Sequence, residues 1–284
     1  MKYLLLIFAF LPLSIFAQDE DFFLDQEYSV APDGTIELTC NDAEVRIVGS
    51  DRETAHVVIS REVTTKGIVK GEREFDVQIS ESNGDLMIEE QQSGNVSVSF
   101  GYFDEDYTID IEAPVGVSLR VRGDDGDITV QRIGGAISLQ NDDGDLVLQN
   151  CTGEVFDLEV DDGNIEMDQG RGALTVRADD GDVTIQQGEF SSVDVSADDG
   201  DIALVTSLSD EGKYRLSAND GEIDLRITEG GGTIEIRHDD TDLDTSGQFT
   251  LVKSDDDYTQ LSLPDGSAQV DLRIDDGHVD LSAL

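Results

Sequence analysis

Residues 118–149 read SLRVRGDDGDITVQRIGGAISLQNDDGDLVLQ, and this stretch decides the fold. A short alternating apolar strand runs into Asp-Asp-Gly-Asp, a second alternating strand follows, and the same unit begins again. The tetrapeptide or a close variant recurs with its third residue at positions 126, 144, 163, 181, 200, 221, 241 and 277. Steps of 18 to 21 residues are typical of solenoids and other repeat arrays. The longer last step predicts a degenerate copy near Asp255-Asp256-Asp257-Tyr258.

The strands beside each turn alternate apolar and polar residues with a period of two. Side chains on a strand point to opposite faces in turn, so each strand offers one apolar row to a core and one polar row to solvent. We therefore predict an all-β fold with a narrow continuous core. The predicted core pairs are Ile128/Val130, Ile137/Leu139, Leu146/Leu148, Leu174/Val176, Val183/Ile185, Val193/Val195, Ile202/Leu204, Ile223/Leu225 and Ile234/Ile236.

Two architectures satisfy this pattern. One is a single-stranded β-helix, or β-solenoid, with coils of about 18–20 residues and a right-handed winding. The other is an antiparallel β meander, because Asp-Gly between alternating strands is also a favoured hairpin turn. The periodicity alone leaves both open.

The chain divides into three sections by its pattern. Residues 1–17 combine Lys2, an apolar run and Ala17 before an acidic stretch, which predicts a secretory signal peptide and no membrane insertion after its cleavage. Residues 18–115 are strand-rich but irregular, and we expect them to cap the open end of the solenoid. Residues 116–284 form the regular array with Asp-Asp-Gly-Asp turns.

The net charge of the chain argues against two classes of binding partner. There are 64 Asp and Glu against 18 Lys and Arg, giving a formal charge of -46. Such a surface repels phosphate backbones and anionic lipid, which argues against nucleic-acid and peripheral membrane binding. Leu, Ile, Val and Phe make up roughly 29% of the residues, above the ~20% below which disorder is expected. The chain is therefore predicted to fold.

Stacked turns would bring equivalent carboxylates within about 4.8 Å of one another. At that distance two unit charges repel by about 0.9 kcal/mol even in bulk water, so the ridge is splayed and solvated, partly protonated, or neutralised by cations. Calcium accepts such oxygen ligands, although the calcium-binding β-roll nonapeptide carries more glycines than this turn. The calcium candidates are Asp125, Asp127, Asp143, Asp145, Asp180, Asp182, Asp199 and Asp201.

Catalytic patterns are missing from the sequence. His56, His238 and His278 are scattered, and no nucleophilic triad, zinc spacing or phosphate loop is present. We therefore expect no catalytic site and no resident cofactor. Paired carboxylates could serve as acid and base, so a carbohydrate-active β-helix enzyme is a less favoured alternative.

Two local features also carry expectations. If coils stack in sequence order, Cys40 and Cys151 lie several layers apart and stay unbonded. The segment Phe100-Gly101-Tyr102-Phe103 is interpreted as a plug for the end of the core, with a binding loop for a glycan or protein as the alternative.

The segment Tyr107-Thr108-Ile109-Asp110-Ile111-Glu112-Ala113-Pro114, followed by Leu119-Arg120-Val121 and repeated Gly-Asp-Ile/Leu steps, resembles an exported bacterial family. This is the β-strand-repeat "putative adhesin" family, a domain of unknown function, and the resemblance runs from about residue 33 to 281. It implies a single-chain β-helix exported to the cell envelope, in the periplasm, at the surface or outside the cell. It supplies no catalytic residues.

The functional expectation is therefore an exported, non-enzymatic, adhesin-like or structural envelope component. Its partners would be envelope polysaccharide or protein. The alternative is a calcium-stabilised, β-roll-like binding protein.

Overall fold

The computed structural model describes residues 21–70, 73–94, 97–239 and 241–284, so the predicted signal peptide lies outside the described residues. These residues are all-β, and none of them is helical. The strands are β1 Phe22–Tyr28, β2 Thr35–Thr39, β3 Glu44–Ser50, β4 Ala55–Lys70, β5 Arg73–Ser82, β6 Asp85–Gly94, β7 Ser97–Pro114, β8 Ser118–Arg122, β9 Ile128–Gln131, β10 Ile137–Asp143, β11 Leu146–Gln149, β12 Val155–Asp162, β13 Ile165–Asp168, β14 Arg171–Asp180, β15 Val183–Asp199, β16 Ile202–Thr206, β17 Lys213–Ile227, β18 Gly232–His238, β19 Thr241–Ser246, β20 Thr250–Asp255, β21 Tyr258–Leu263 and β22 Ala268–Ala283.

Each regular coil contributes one strand segment to each of two faces. On the first face, Leu139 of β10 is in register with Val121 of β8 and with Leu158 of β12, in parallel pairs. On the second face, Leu148 of β11 pairs in the same way with Val130 and Met167. The parallel register contradicts the antiparallel meander for these coils and shows a β-solenoid-like fold.

The faces extend over the whole molecule. The first face has the order β5–β6–β2–β8–β10–β12–β14–β15–β17–β22–β18–β21–β20. The second has the order β1–β4–β7–β3–β9–β11–β13–β15–β16–β17–β22–β19. At about 4.8 Å per strand, the first face is about 58 Å long. The molecule is thus a short rod.

Both ends depart from sequence order, which contradicts simple sequential stacking. The coil β2–β3 lies between the later strands β6–β7 and β8–β9. Likewise, β22 is inserted between β17 and the earlier coil β18–β19. The predicted degenerate coil near residues 255–258 is wrong, because β20 and β21 form an antiparallel hairpin there. Antiparallel strands therefore end both faces at the N-terminal end of the rod and the first face at the other end, where the second face ends in the parallel strand β19.

The core lies between the two faces and confirms the predicted apolar rows. Every residue of the nine predicted pairs is buried. The second turn of four successive coils repeats a left-handed residue that is not glycine: Arg132, Asn150, Gln169 and Gln187 have φ between 55° and 63°. This shared backbone state keeps successive coils superposed.

The core at the N-terminal end of the rod is filled by an aromatic cluster around a buried cation. The rings of Phe22 and Tyr107 pack edge-on against Phe75, at centroid distances of 5.3 and 5.2 Å. The Arg61 guanidinium lies 4.5 Å from the centre of the Phe75 ring and forms an ion pair with Glu105. Arg61 is only 1% exposed, so its charge is compensated inside the cap.

The predicted plug at residues 100–103 is wrong. The side chain of Phe100 is 76% exposed and that of Tyr102 is 49% exposed. The reason is that β4 and β7 continue beyond the stacked coils as a two-stranded extension, which carries these residues away from the core.

Cys40 and Cys151 are both unbonded and buried. Cys151 lies at the second turn that follows β11, whereas Cys40 lies at the opposite turn, at the end of β2. Only the coil β8–β9 separates their two coils, so the expected separation of several layers is wrong. Their positions at opposite turns keep the two thiols apart.

Candidate interaction surfaces

The Asp-Asp-Gly-Asp turns stack into one ridge along the rod, and each turn position has its own environment. At the third position, Gly163 has φ +149° and its missing Cβ would lie 2.3 Å from the carbonyl oxygen of Gly144 in the adjacent coil. Gly181 repeats the arrangement against Gly163, at 2.0 Å. A side chain at this position would meet both backbone strain and the neighbouring coil. Glycine is therefore required at these two turns.

The fourth position forms a hydrogen-bonded ladder. The Asp145 backbone N–H donates to Asp127 Oδ1 at 2.9 Å, and Asp145 Oδ1 in turn accepts the Asn164 N–H at 2.8 Å. Asn164 Oδ1 accepts from the Asp182 N–H, and Asp182 Oδ1 accepts from the Asp201 N–H at 2.9 Å. The ladder continues to the Glu222 N–H. Fourth-position oxygens therefore have a structural role that the sequence analysis did not predict.

The first and second positions point outward and line an open groove of about 470 Å³. Local desolvation, followed by repulsion from neighbouring carboxylates, raises the pKa of Asp124, Asp125 and Asp161. The groove-lining residues are Asp142, Asp143, Asp161, Asp162, Asp179, Asp180, Asp198, Asp199 and Asn219. The ridge is thus a row of mutually repelling acids.

The eight calcium candidates separate into two kinds. Those at the fourth position hold the ladder: Asp127, Asp145, Asp182 and Asp201. Those at the second position are exposed on the ridge: Asp125, Asp143, Asp180 and Asp199. Over the described ranges, no three or more His, Cys, Asp or Glu side chains are grouped so as to hold a metal ion.

The first face carries a different chemistry from the ridge, because arginines alternate there with acids across neighbouring strands. Arg177 forms an ion pair with Asp157 at 3.6 Å, and Arg215 with Asp194 at 3.0 Å. The outward row through these strands is Glu37–Arg120–Ser138–Asp157–Thr175–Asp194–Arg215–Asp271. Single exposed pairs contribute little stability, so the row is better understood as a surface pattern.

A groove of about 260 Å³ lies on this face over β2, β8 and β10. Its two cations are Arg120, 4.0 Å from Glu37, and Arg122, whose Nε and Nη2 both donate to Gln140 Oε1. Hydroxyl, amide and carboxylate groups border them: Ser138, Gln140, Asp157 and Glu159. The groove therefore offers hydrogen-bond donors and acceptors side by side.

Comparison with models of protein families identifies the family of this chain. The family model described as Toastrack DUF4097 matches residues 34–282. The chain belongs to the Toastrack family. This confirms the resemblance to an adhesin-like family of unknown function that the repeat predicted. No curated protein matches the chain.

Solved structures with distant similarity carry related descriptions. A putative adhesin from Bacteroides fragilis is 11% identical, with 92% of this chain and 97% of that chain covered and a TM-score of 0.48. A putative adhesin from Parabacteroides distasonis is 13% identical, with the same coverage and a TM-score of 0.43. A putative cell adhesion protein from Clostridium sporogenes is 11% identical, covering 93% and 100%, with a TM-score of 0.27.

A search of the described residues for membrane spans finds no helix with the length and apolar character to cross a bilayer.

Proposed function

We propose that this Toastrack protein is an exported, non-enzymatic, adhesin-like or structural component of the cell envelope, built as a right-handed, single-stranded β-solenoid. Membership of an adhesin-like family supports the proposal, as do the names of the similar structures. The proposed location is the cell surface or the extracellular space. Its partner is an envelope polysaccharide or protein, and it needs no cofactor.

The observation that carries the proposal is the outward pattern of the first face. The groove around Arg120 and Arg122 is lined by paired donors and acceptors. A parallel stack repeats its outward rows about every 4.8 Å along the rod. An extended polymer lying along the axis therefore meets hydrogen-bonding groups at regular intervals, which suits adhesion more than the enclosure of a small substrate.

The test uses the full chain, immobilised, and measures the retention of envelope polysaccharide and envelope protein fractions. Arg122→Ala should lower retention about fivefold, which corresponds to about 1 kcal/mol. The matched control is Arg226→Ala, an exposed arginine on the second face. Recovery of nothing by the unmodified chain would overturn the proposal. An equal loss in both variants would remove the first face as its site.

The second candidate is a calcium-stabilised, β-roll-like protein, and the specific observation behind it is the ridge groove. Eight aspartates line that groove, and local desolvation, followed by repulsion from neighbouring carboxylates, raises the pKa of Asp161. Cations that collect along the ridge would relieve this repulsion. A carbohydrate-active enzyme is not proposed, because the ridge acids repeat from coil to coil and none of the described ones forms a distinct catalytic pair.

A further inference from the structure

The β7 strand of the two-stranded extension at the N-terminal end of the rod carries no charged side chain. We call residues 62–68 of β4 and 97–103 of β7 the cap ribbon. Residues 91–103 contain no Asp, Glu, Lys or Arg, the longest uncharged stretch after residue 18 in a chain of net charge -46. Loss of charge together with aromatic enrichment is the composition of protein–protein interface cores.

The cap ribbon also presents large apolar side chains to solvent. Phe100 is 76% exposed and Ile68, directly opposite it in the β4–β7 pair, is 57% exposed. Tyr102 and Val98 are exposed on the same strand, at 49% and 42%. Directly opposite residues have Cβ atoms about 5 Å apart on one side of a sheet. Phe100 and Ile68 therefore form a continuous exposed contact.

The outer edge of β7 is open along the cap ribbon. Residues 108–112 of β7 pair with β3 on one side and β4 on the other, but residues 97–103 pair with β4 alone among the described strands. Unpaired strand edges attract other strands unless charge, proline or a bulge blocks them. No proline or charge occurs between residues 97 and 103. The one register shift of the β4–β7 pair lies between Ile68 and Val69, so the edge is regular and unprotected from residue 100 onward.

We propose that the cap ribbon is a homodimerisation surface, where the 97–103 edge of one copy pairs antiparallel with the same edge of a second copy. The charge distribution of the chain favours a second copy as the partner at this edge. Contact between copies through the ridge would oppose rows of aspartates, whereas residues 97–103 carry no charge, so pairing through this edge brings no like charges together. An antiparallel edge around a two-fold axis is self-complementary, so one patch serves both copies. The two rods would join at their N-terminal ends.

The experiment measures the mass of the full chain by sedimentation velocity and light scattering, up to about 0.5 mM, in low salt and in 0.5 M NaCl. We expect a reversible dimer that tightens in high salt, because salt screens the remaining repulsion. The double variant Val98→Ser/Phe100→Ser should be monomeric, with a dimer dissociation constant raised more than tenfold. Both side chains are exposed, so the thermal midpoint should stay unchanged.

The matched control is Leu251→Ser, which removes a 62% exposed side chain from β20 at the other end of the rod. It should dimerise like the parent. A parent chain that stays monomeric in 0.5 M NaCl would overturn the inference. So would a dimer that survives the double variant, or one lost in Leu251→Ser. A monomeric parent that retains an envelope protein only through Phe100 would replace the second copy with that partner.

Discussion

The fourth-position ladder makes the sharpest prediction about stability, and Asp182 is the residue to change. Its Oδ1 accepts the Asp201 N–H at 2.9 Å, while its charge faces one charged neighbour, Asp201, and one neutral neighbour, Asn164. Asp182→Asn keeps the acceptor and removes the charge, as Asn164 already does naturally. Asp182→Ala removes both.

The two effects have opposite signs, and their sizes can be compared. Loss of one carboxylate at a spacing of about 4.8 Å relieves up to about 0.9 kcal/mol of repulsion at low salt, and less as salt screens it. Loss of the hydrogen bond costs about 1 kcal/mol. Asp182→Asn should therefore raise the free energy of unfolding. The free energy of unfolding of Asp182→Ala should be about 1 kcal/mol lower than that of Asp182→Asn.

The assay is urea unfolding at pH 7 in low and high salt, with the slope compared between variants because repeat proteins unfold by segments as well as globally. Asp180 is the control, since it lies on the ridge outside the ladder. Asp180→Ala and Asp180→Asn should both stabilise, and by equal amounts. If Asp182→Ala proves as stable as Asp182→Asn, the ladder has no structural role and the reasoning is refuted.

Four further predictions follow from the same structure. The pKa of Asp124, Asp125 and Asp161 is raised, so the native state binds protons more tightly than the unfolded state. The free energy of unfolding, measured by urea titration, should therefore rise as pH falls from about 6 to about 4. A steady fall of the free energy of unfolding over that window would contradict the raised pKa of these aspartates. Calcium and magnesium, compared with chelator at one ionic strength, should raise the thermal midpoint equally, whereas a shift of many degrees for calcium alone would identify the turn aspartates as specific ligands. Gly163→Ala should lower the free energy of unfolding by about 2–4 kcal/mol, because the new Cβ meets backbone strain and the adjacent coil. Gly134→Ala should lower it far less, because the new Cβ has its closest contact at 3.3 Å. Equal losses of stability in calorimetry would argue against close packing of the turns. Burial raises the pKa of the Cys40 thiol to about 12, and Cys151 is also buried, so neither should react with a thiol reagent before unfolding; fast labelling of the native chain would place a thiol at the surface.

Much of the central fold could be predicted from the sequence, because a period of two within strands and a step of 18 to 21 residues between turns leave few arrangements. The core pairs from Ile128 to Ile236 are buried as expected. The ends could not be predicted in this way. Pairing of β22 with β17 joins residues about 55 positions apart, such as Leu216 and Leu272, and no local pattern encodes that choice.

The surfaces were harder to predict than the core. The Asp-Asp-Gly-Asp motif indicated a ridge, but which aspartate accepts a backbone hydrogen bond depends on coil-to-coil geometry at Asp145 and Asp182. Phe100 was assigned to the core because it is aromatic, whereas its exposure follows from the extension of β4 and β7. The uncharged run 91–103 was the signal in the sequence that pointed to a surface instead.

The order of the coils decides which strands are neighbours on both faces at the C-terminal end of the rod. Thiol cross-linking tests that order directly, with pairs of cysteines introduced on the second face. Asp224 is in register with Asp280, and Asp280 with Asp244. A cross-linker that spans about 5 Å should join Asp224→Cys to Asp280→Cys rapidly and leave Asp224→Cys/Asp244→Cys unjoined. Efficient joining of the second pair in place of the first would show that the coils stack in sequence order, and would contradict the structure.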